Sequence, residues 1–258
     1  ESPMMKLKAL FLAPVVMVAG GLVGQLAYAQ DMPSGNLLVN TRCVINDGHT
    51  FEEAVEVGRY IDFQGDDAPN LVFFRQPIAG PNSLPNGLLR VVYWDSLAHW
   101  ARGQAALPAP SGPSAHLNEI MTCDQSNRSF FINRNIDQEG AAYEGGESDF
   151  SLTAARACRV KPGNGIQDVY SALGTINERY RAQGDRTLVQ LSQRFLGPRP
   201  GLEMGAGILL RLVGETPEGL AARLDMAPKN AGVPEDAPVV GCGDYSLWAS
   251  HVIHWSDQ

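Results

Sequence analysis

Apolar and polar positions alternate along this chain in two rhythms, one of period two and one of period near 3.6, and each rhythm appears twice. Leu37 to Ile45 is apolar and β-rich, and Thr50 with Glu53 then forms a capping-box pattern that predicts a helix from Phe51 to Ile61. Strands follow at Leu71 to Ile78 and Leu88 to Trp94, then a short helix from Ser96 to Arg102 and a strand around Phe130-Phe131-Ile132. Further on, Ile166, Val169, Tyr170, Leu173, Ile176 and Tyr180 step by three and four, which predicts an amphipathic helix. Strands are again expected at Leu188 to Phe195 and Ile208 to Val213, a short helix at Pro217 to Leu224 and a closing strand from Tyr245 to Ile253. The Gly, Pro and Ala segments Gly103 to Pro113 and Pro228 to Pro238 read as long loops.

The two series are copies of one pattern. Leu71-Val72 through Gly80-Pro81 aligns without a gap on Leu188-Val189 through Gly197-Pro198, and Leu88-Leu89-Arg90-Val91 resembles Leu209-Leu210-Arg211-Leu212. Cys43 and Cys123 flank the first series and Cys158 and Cys242 the second, at nearly equal spacing, so four landmarks stay in step. The expected organisation is a first repeat at 30–137, a linker at 138–149 and a second repeat at 150–258.

Ahead of the repeats, Met4 and Met5 precede Lys6 and Lys8, an apolar run covers Ala9 to Leu26, and Ala27-Tyr28-Ala29 supplies a small-x-small cleavage pattern. That is the layout of a secretory signal peptide at 1–29, the alternative being an uncleaved anchor, since the run lies at the lower edge of spanning length. Export to the periplasm or the outside of the cell changes how the cysteines read. In an oxidising compartment four cysteines in two evenly spaced pairs favour disulfides over free thiols. A four-cysteine metal site lacks the close C-x₂-C pairs it needs, so no metal is expected.

The element order strand, helix, strand, strand, helix, strand is the split βαβ, or ferredoxin-like, arrangement, and the fold class is α+β with two such units in tandem. The first strand of that unit lies beside the last one, antiparallel, which sets Cys43 opposite Cys123 and Cys158 opposite Cys242, the pairing adopted here from three connectivities.

The whole chain carries a formal charge of −8. Without residues 1–29, which include Glu1, Lys6 and Lys8, 18 cationic and 27 acidic residues remain, a charge of −9. Such a chain offers no basic surface for phosphates, so no nucleic-acid partner is expected, and no membrane association once the leader is gone. No G-x-S-x-G elbow, H-E-x-x-H pair, P-loop or dinucleotide fingerprint is present, and the sequence indicates no cofactor.

Two tandem ferredoxin-like units with Gly-Pro turns resemble the dimeric α/β-barrel superfamily in fused, single-chain form, over about Asn36 to Trp255. The resemblance implies a barrel-like pseudo-dimer, and a class that includes cofactor-independent monooxygenases, haem-dependent enzymes, isomerases and small-molecule binders. It transfers no functional residue. The ligand-binding candidates are instead polar or aromatic residues on strands: Arg75, Arg90, Arg194 and Arg211, which could grip a carboxylate bidentately or merely end strands with their heads in water, and Trp94 and Trp248. His99 and His251 are the candidates for acid-base catalysis, and His254, three residues from His251, would face the other side of a strand. Three readings stand side by side: an exported binder of a small hydrophobic or anionic ligand held between the sheets, a cofactor-independent or haem-linked oxidoreductase or isomerase acting on an aromatic substrate, and a structural or interaction protein with no ligand.

Overall fold

The computed structural model describes residues 32–80, 86–107, 109–136, 150–197, 207–226 and 235–256, so the expected leader at 1–29 and linker at 138–149 lie outside the described residues. The first series comprises β1 (Asn36–Ile45), α1 (Phe51–Arg59), β2 (Leu71–Ala79), β3 (Gly87–Trp94), α2 (Leu97–Ala106), α3 (Pro113–Ile120), β4 (Met121–Cys123) and β5 (Ser129–Ile136). The second comprises β6 (Phe150–Val160), α4 (Ile166–Arg181), β7 (Leu188–Leu196), β8 (Gly207–Val213), α5 (Pro217–Met226), β9 (Val239–Val240) and β10 (Ser246–Trp255).

All the pairings are antiparallel, and eight strands close on themselves in the order β2-β3-β1-β5-β7-β8-β6-β10 and back to β2. The result is a mixed α/β chain with a closed antiparallel barrel. The order β2-β3-β1-β5 in the first series recurs as β7-β8-β6-β10 in the second. Two seams join the series, β5 with β7 and β10 with β2. Closure satisfies every strand edge of the ring, which an open sheet would leave unpaired.

Alternation along the strands sends one set of side chains outward beneath the helices and the other into the barrel. Outside, Leu37, Val39, Val72, Phe74, Val92 and Trp94 pack against α1 and its neighbours, while Val189, Leu191, Ile208 and Leu210 pack under Val169 and Tyr170 of α4. Inside, Leu38, Phe73, Val91, Tyr93 and Phe131 form a separate buried cluster. Full burial of a side chain such as Phe73 or Phe131 contributes roughly 1.5–3 kcal/mol.

Local signals fix most element ends. The capping box at the start of α1 is formed, with the Glu53 backbone N–H donating to Thr50 Oγ1 at 3.1 Å and the Thr50 N–H donating to Glu53 Oε2 at 2.8 Å. One expectation is corrected. The stretch read as a loop from Gly103 to Pro113 holds the end of α2, and the helix α3 begins at its last residue. Gly103 is there for packing and does not break the helix, since a Cβ would lie 2.6 Å from the Trp94 ring and 2.7 Å from the Asp67 carbonyl oxygen. Pro113 opens α3 at its first turn, where its missing N–H costs nothing, and Leu117 and Ile120 turn one buried face to the core.

Both expected disulfides are formed. Cys43 and Cys123 are direct partners across β1 and β4 with Cα atoms 3.9 Å apart, and Cys158 joins Cys242 with Cα atoms 4.1 Å apart. Loops of 80 and 84 residues are thereby closed, each contributing about 4 kcal/mol in the chain-entropy account. Two disulfides fit an oxidising compartment, and among the described residues no helix is long and apolar enough to cross a membrane.

The same cysteines calibrate the repeat and overturn one alignment. Cys43 faces Leu88 and Cys158 faces Ile208, so Leu88 corresponds to Ile208 and not to Leu209. The Leu-Leu-Arg likeness is therefore one residue out of step, and a one-residue shift in a strand exchanges its two faces. Arg90 corresponds to Leu210 on the outer face, and Arg211 corresponds to Val91 on the inner one.

Candidate ligand cavity

The inner faces of the two series differ. At corresponding positions, β2 offers Phe73, Arg75 and Pro77 where β7 offers Gln190, Ser192 and Arg194, and β3 offers Val91 where β8 offers Arg211. At these positions β2 and β3 are thus the more apolar and β7 and β8 the more polar. Where β2 and β7 end, the barrel has an open cavity of about 550 Å³.

Arg211, one of its lining residues, belongs to a buried hydrogen-bonded polar network. Arg211 is 2% exposed; its Nη2 donates to Asn133 Oδ1 and to Ser192 Oγ, both at 2.6 Å, and its Nη1 to Tyr93 Oη at 3.2 Å. Tyr93 Oη donates to Gln190 Oε1 at 3.3 Å, and Gln190 Nε2 donates to Asn135 Oδ1 at 2.9 Å. A buried guanidinium loses hydration worth several kcal/mol, and this network of dipoles offsets part of that cost.

Two arginines lie along the walls. Arg75, 3% exposed, donates from Nε to Ser250 Oγ at 3.1 Å and sits 5.5 Å from the Phe73 ring centroid. Arg194 donates from Nη1 to Ser129 Oγ at 3.2 Å and lies 4.8 Å from the Phe131 ring centroid. Aromatic faces attract guanidinium groups and hold their planes in place. Exposed Arg42 and Arg159 stand at the rim with Arg156, whose guanidinium is 4.8 Å from the Tyr245 ring. Trp248 adds an aromatic wall, its Nε1 donating to Ser246 Oγ at 2.9 Å. Among the described lining residues six are arginine and one, Asp244, is acidic, a formal charge of +5.

Of the residues singled out from sequence, Arg75, Arg194, Arg211 and Trp248 meet at this cavity, and four others do not. Arg90 is half-buried on the outer face opposite Phe74, where desolvation and the neighbouring Arg128 charge lower its pKa. Trp94 packs in the outer core with its ring edge-on to His99 at 5.1 Å. His99 is buried at the start of α2, its Nδ1 3.1 Å from Asp95 Oδ2. His251 lines a separate outer depression of about 450 Å³ beside α1, between Phe51 and Phe150. Desolvation, and secondarily the charge of Arg59, hold the His251 pKa below that of a free imidazole, and desolvation does the same for His254, which stacks on Phe63.

Sequence reasoning missed the polar network of Tyr93, Asn133, Gln190 and Ser192 around Arg211. A signal for part of it was present, since Gln190, Ser192 and Arg194 recur at every second position of β7 and so share a face. Among the described residues no cluster of three or more His, Cys, Asp or Glu is placed to hold a metal ion.

No protein-family model matches the chain, and no curated protein matches it. Solved structures do, over most of its length. A candidate monooxygenase from Lactobacillus acidophilus NCFM is 9% identical, with 85% of this chain and 95% of that one covered at a TM-score of 0.51. An anthrone oxidase-like protein is 18% identical, covering 88% and 93% at a TM-score of 0.49. A candidate monooxygenase from Fusobacterium nucleatum subsp. nucleatum is 12% identical, covering 86% and 94% at 0.49. Fold and comparison together define a mixed α/β chain built on a closed eight-stranded antiparallel barrel. The likeness to the Lactobacillus structure is one of fold, and at 9% identity it extends to nothing more.

Proposed function

We propose that this chain is an exported small-molecule-binding protein, built from two fused ferredoxin-like units whose shared barrel takes up an anionic ligand. The observation that carries this reading is the formal +5 lining of a 550 Å³ cavity inside a chain whose overall charge is −8. Six arginines around one open cavity, three of them at its rim, on an otherwise acidic molecule make a local positive field that attracts anions. The cavity volume lies within the range of small-molecule sites. Arg75 and Arg194, braced by Ser250, Phe73, Ser129 and Phe131, are the groups that meet the anion, and Trp248 and Phe131 meet its apolar body. The two disulfides support the export half of the proposal.

Isothermal titration of the disulfide-bonded protein at low salt with 2-naphthoate and its neutral analogue 2-naphthamide tests the binding half. A charge-assisted contact is worth about 1.5–3 kcal/mol, so the acid should bind at least tenfold more tightly than the amide, and added salt should erode the difference. Equal affinities, or no binding of either, would refute an anion site. The intact mass of the exported protein should begin at Gln30.

A second reading, turnover of an aromatic anion by an oxidoreductase, draws on the candidate monooxygenase of like fold. In that case the described lining offers Arg211, bonded to Tyr93 behind it, to stabilise an oxyanion, and neither His99 nor His251 as a base within the cavity.

A further inference from the structure

We infer that the outer face of the first series carries a second ligand site, where Arg90 and Arg128 together take a doubly charged oxyanion of the phosphate class. The site stands apart from the function proposed above, since neither residue lines the cavity.

Strand register brings the two arginines together. Arg90 of β3 faces Thr41 of β1, and Asn40 of β1 faces Ser129 of β5. The extended residue before Ser129, Arg128, therefore falls on the other side of Thr41. Thr41 shares the outer face of β1 with Val39 and Cys43, and its two flanking arginines share that face with it. The guanidiniums thus start two strand spacings apart, about 10 Å, on either side of a buried threonine. Arg128 lies 5.8 Å from the Trp100 ring centroid, and Trp100 in turn packs edge-on to Phe130 at 5.0 Å.

No acid offsets this pair. Desolvation, and after it the charge of Arg128, lower the Arg90 pKa, and desolvation lowers that of Arg128. Arg128 donates from Nε to the neutral amide oxygen of Gln125 at 2.8 Å, and its Nη2 donates to the same atom. Asp124, the acid nearest to Arg128 in sequence, accepts instead from the N–H and Oγ of Ser126 at 3.2 and 2.7 Å. Asp95, the acid nearest to Arg90, accepts from Asn70 Nδ2 at 2.7 Å and lies 3.1 Å from His99 Nδ1. Among the described residues, two like charges are neighbours, partly withdrawn from water, with no carboxylate between them.

The frame does not require this arrangement. The corresponding outer positions of the second series hold Leu210, Arg156 and Tyr245, a single guanidinium 4.8 Å from one ring. The same barrel closes there without a second cation. A cation pair on one half alone, set against its own repulsion, suits a bound dianion, whose two charges match both guanidiniums and whose oxygens accept from each.

The test uses the disulfide-bonded protein in phosphate-free buffer at pH 7.5, titrated by calorimetry with inorganic phosphate and with acetate at matched ionic strength. Phosphate should bind at least tenfold more tightly than acetate, and Arg90→Gln and Arg128→Gln should each weaken phosphate binding at least tenfold. Circular dichroism checks that each variant is folded. Without phosphate, Arg90→Gln should melt no lower than the unaltered protein, because it removes one of two repelling, desolvated charges. Equal binding of phosphate and acetate, or binding of neither, overturns the dianion site. Phosphate binding that survives both substitutions overturns its assignment to these residues. A melting temperature several degrees lower for Arg90→Gln without phosphate makes Arg90 a structural residue and overturns the inference as well.

Discussion

Gly80 and Gly197 stand at the two seams where one series of strands meets the other, and replacing either with alanine should open a seam. Gly80 follows β2 with φ of +143°, and Gly197 follows β7 with φ of +109°, conformations that side chains other than glycine's rarely adopt. Space is also lacking. A Cβ on Gly80 would lie 2.5 Å from Ser246 Cβ and 2.9 Å from Ser246 Cα at the start of β10, and one on Gly197 would press on the Arg128 carbonyl oxygen and lie 2.9 Å from Ser129 Cα at the start of β5. The obstacles are mostly backbone and cannot swing away. Dihedral strain of about 1–2 kcal/mol and forced displacement of about 1–3 kcal/mol put each variant at roughly 2–5 kcal/mol of lost stability. Gly48 and Gly163 supply the control, having φ of +86° and +88° with nothing within 4 Å of a Cβ, so Gly48→Ala and Gly163→Ala should lose about 1 kcal/mol through strain alone. At about 2–4 °C per kcal/mol for a chain of this size, the seam variants should melt roughly 2–16 °C below the control pair in scanning calorimetry. Seam and control variants melting within a degree of each other would refute the close approach at the seams.

Two further outcomes follow from buried charge. The depressed pKa values of His251 and His254 mean that the unfolded chain binds more protons than the folded one as pH falls below the free-imidazole value of 6.5. Their contribution is fully present above that pH and is lost as pH falls toward the folded-state values, so the urea midpoint should drop between pH 7.5 and 5.5, and less so in a His251→Gln, His254→Gln double variant. Arg223 and Asp185 form a buried pair, Nη1 to Oδ2 at 2.6 Å, with the guanidinium 3.3 Å from the Tyr180 ring centroid. Asp185→Asn strands the cation and should cost about 3–5 kcal/mol in urea unfolding, whereas Asp185→Leu with Arg223→Met should recover much of that loss.

The elements legible in the sequence were those whose signal is local. Thr50 and Glu53 announce a helix start through bonds that span three residues, and the 3–4 stepping of α4 needs no tertiary partner. The strand order came from a duplicated pattern, and the cysteines fell where that order brings strand ends together. What could not be read was set by contacts distant in sequence. Gly103 reads as a helix breaker until Trp94 and Asp67 are found pressing on it. Arg90 and Arg211 carry the same local sequence, and only the pairing of β1 with β3 and of β6 with β8 shows that they face opposite ways.

That one-residue offset also explains where function can reside in a duplicated barrel. Positions that hold the frame recur in both series: the cysteine pairs, the glycines after β2 and β7, and the apolar outer faces beneath the helices. Inward positions are free of that duty once the ring is closed, because backbone pairing and the outer cores already supply cohesion. They have diverged accordingly, Phe73 against Gln190, Arg75 against Ser192, Pro77 against Arg194 and Val91 against Arg211. Polar substitutions inside a barrel are costly unless they satisfy one another, and here they do so across the two series, Arg211 bonding to Tyr93 and Asn133 of the first and Ser192 of the second. This polar network therefore belongs to neither repeat alone. A single unit would place Arg211 without Tyr93 or Asn133, so the setting of Arg211 depends on both series sharing one closed ring.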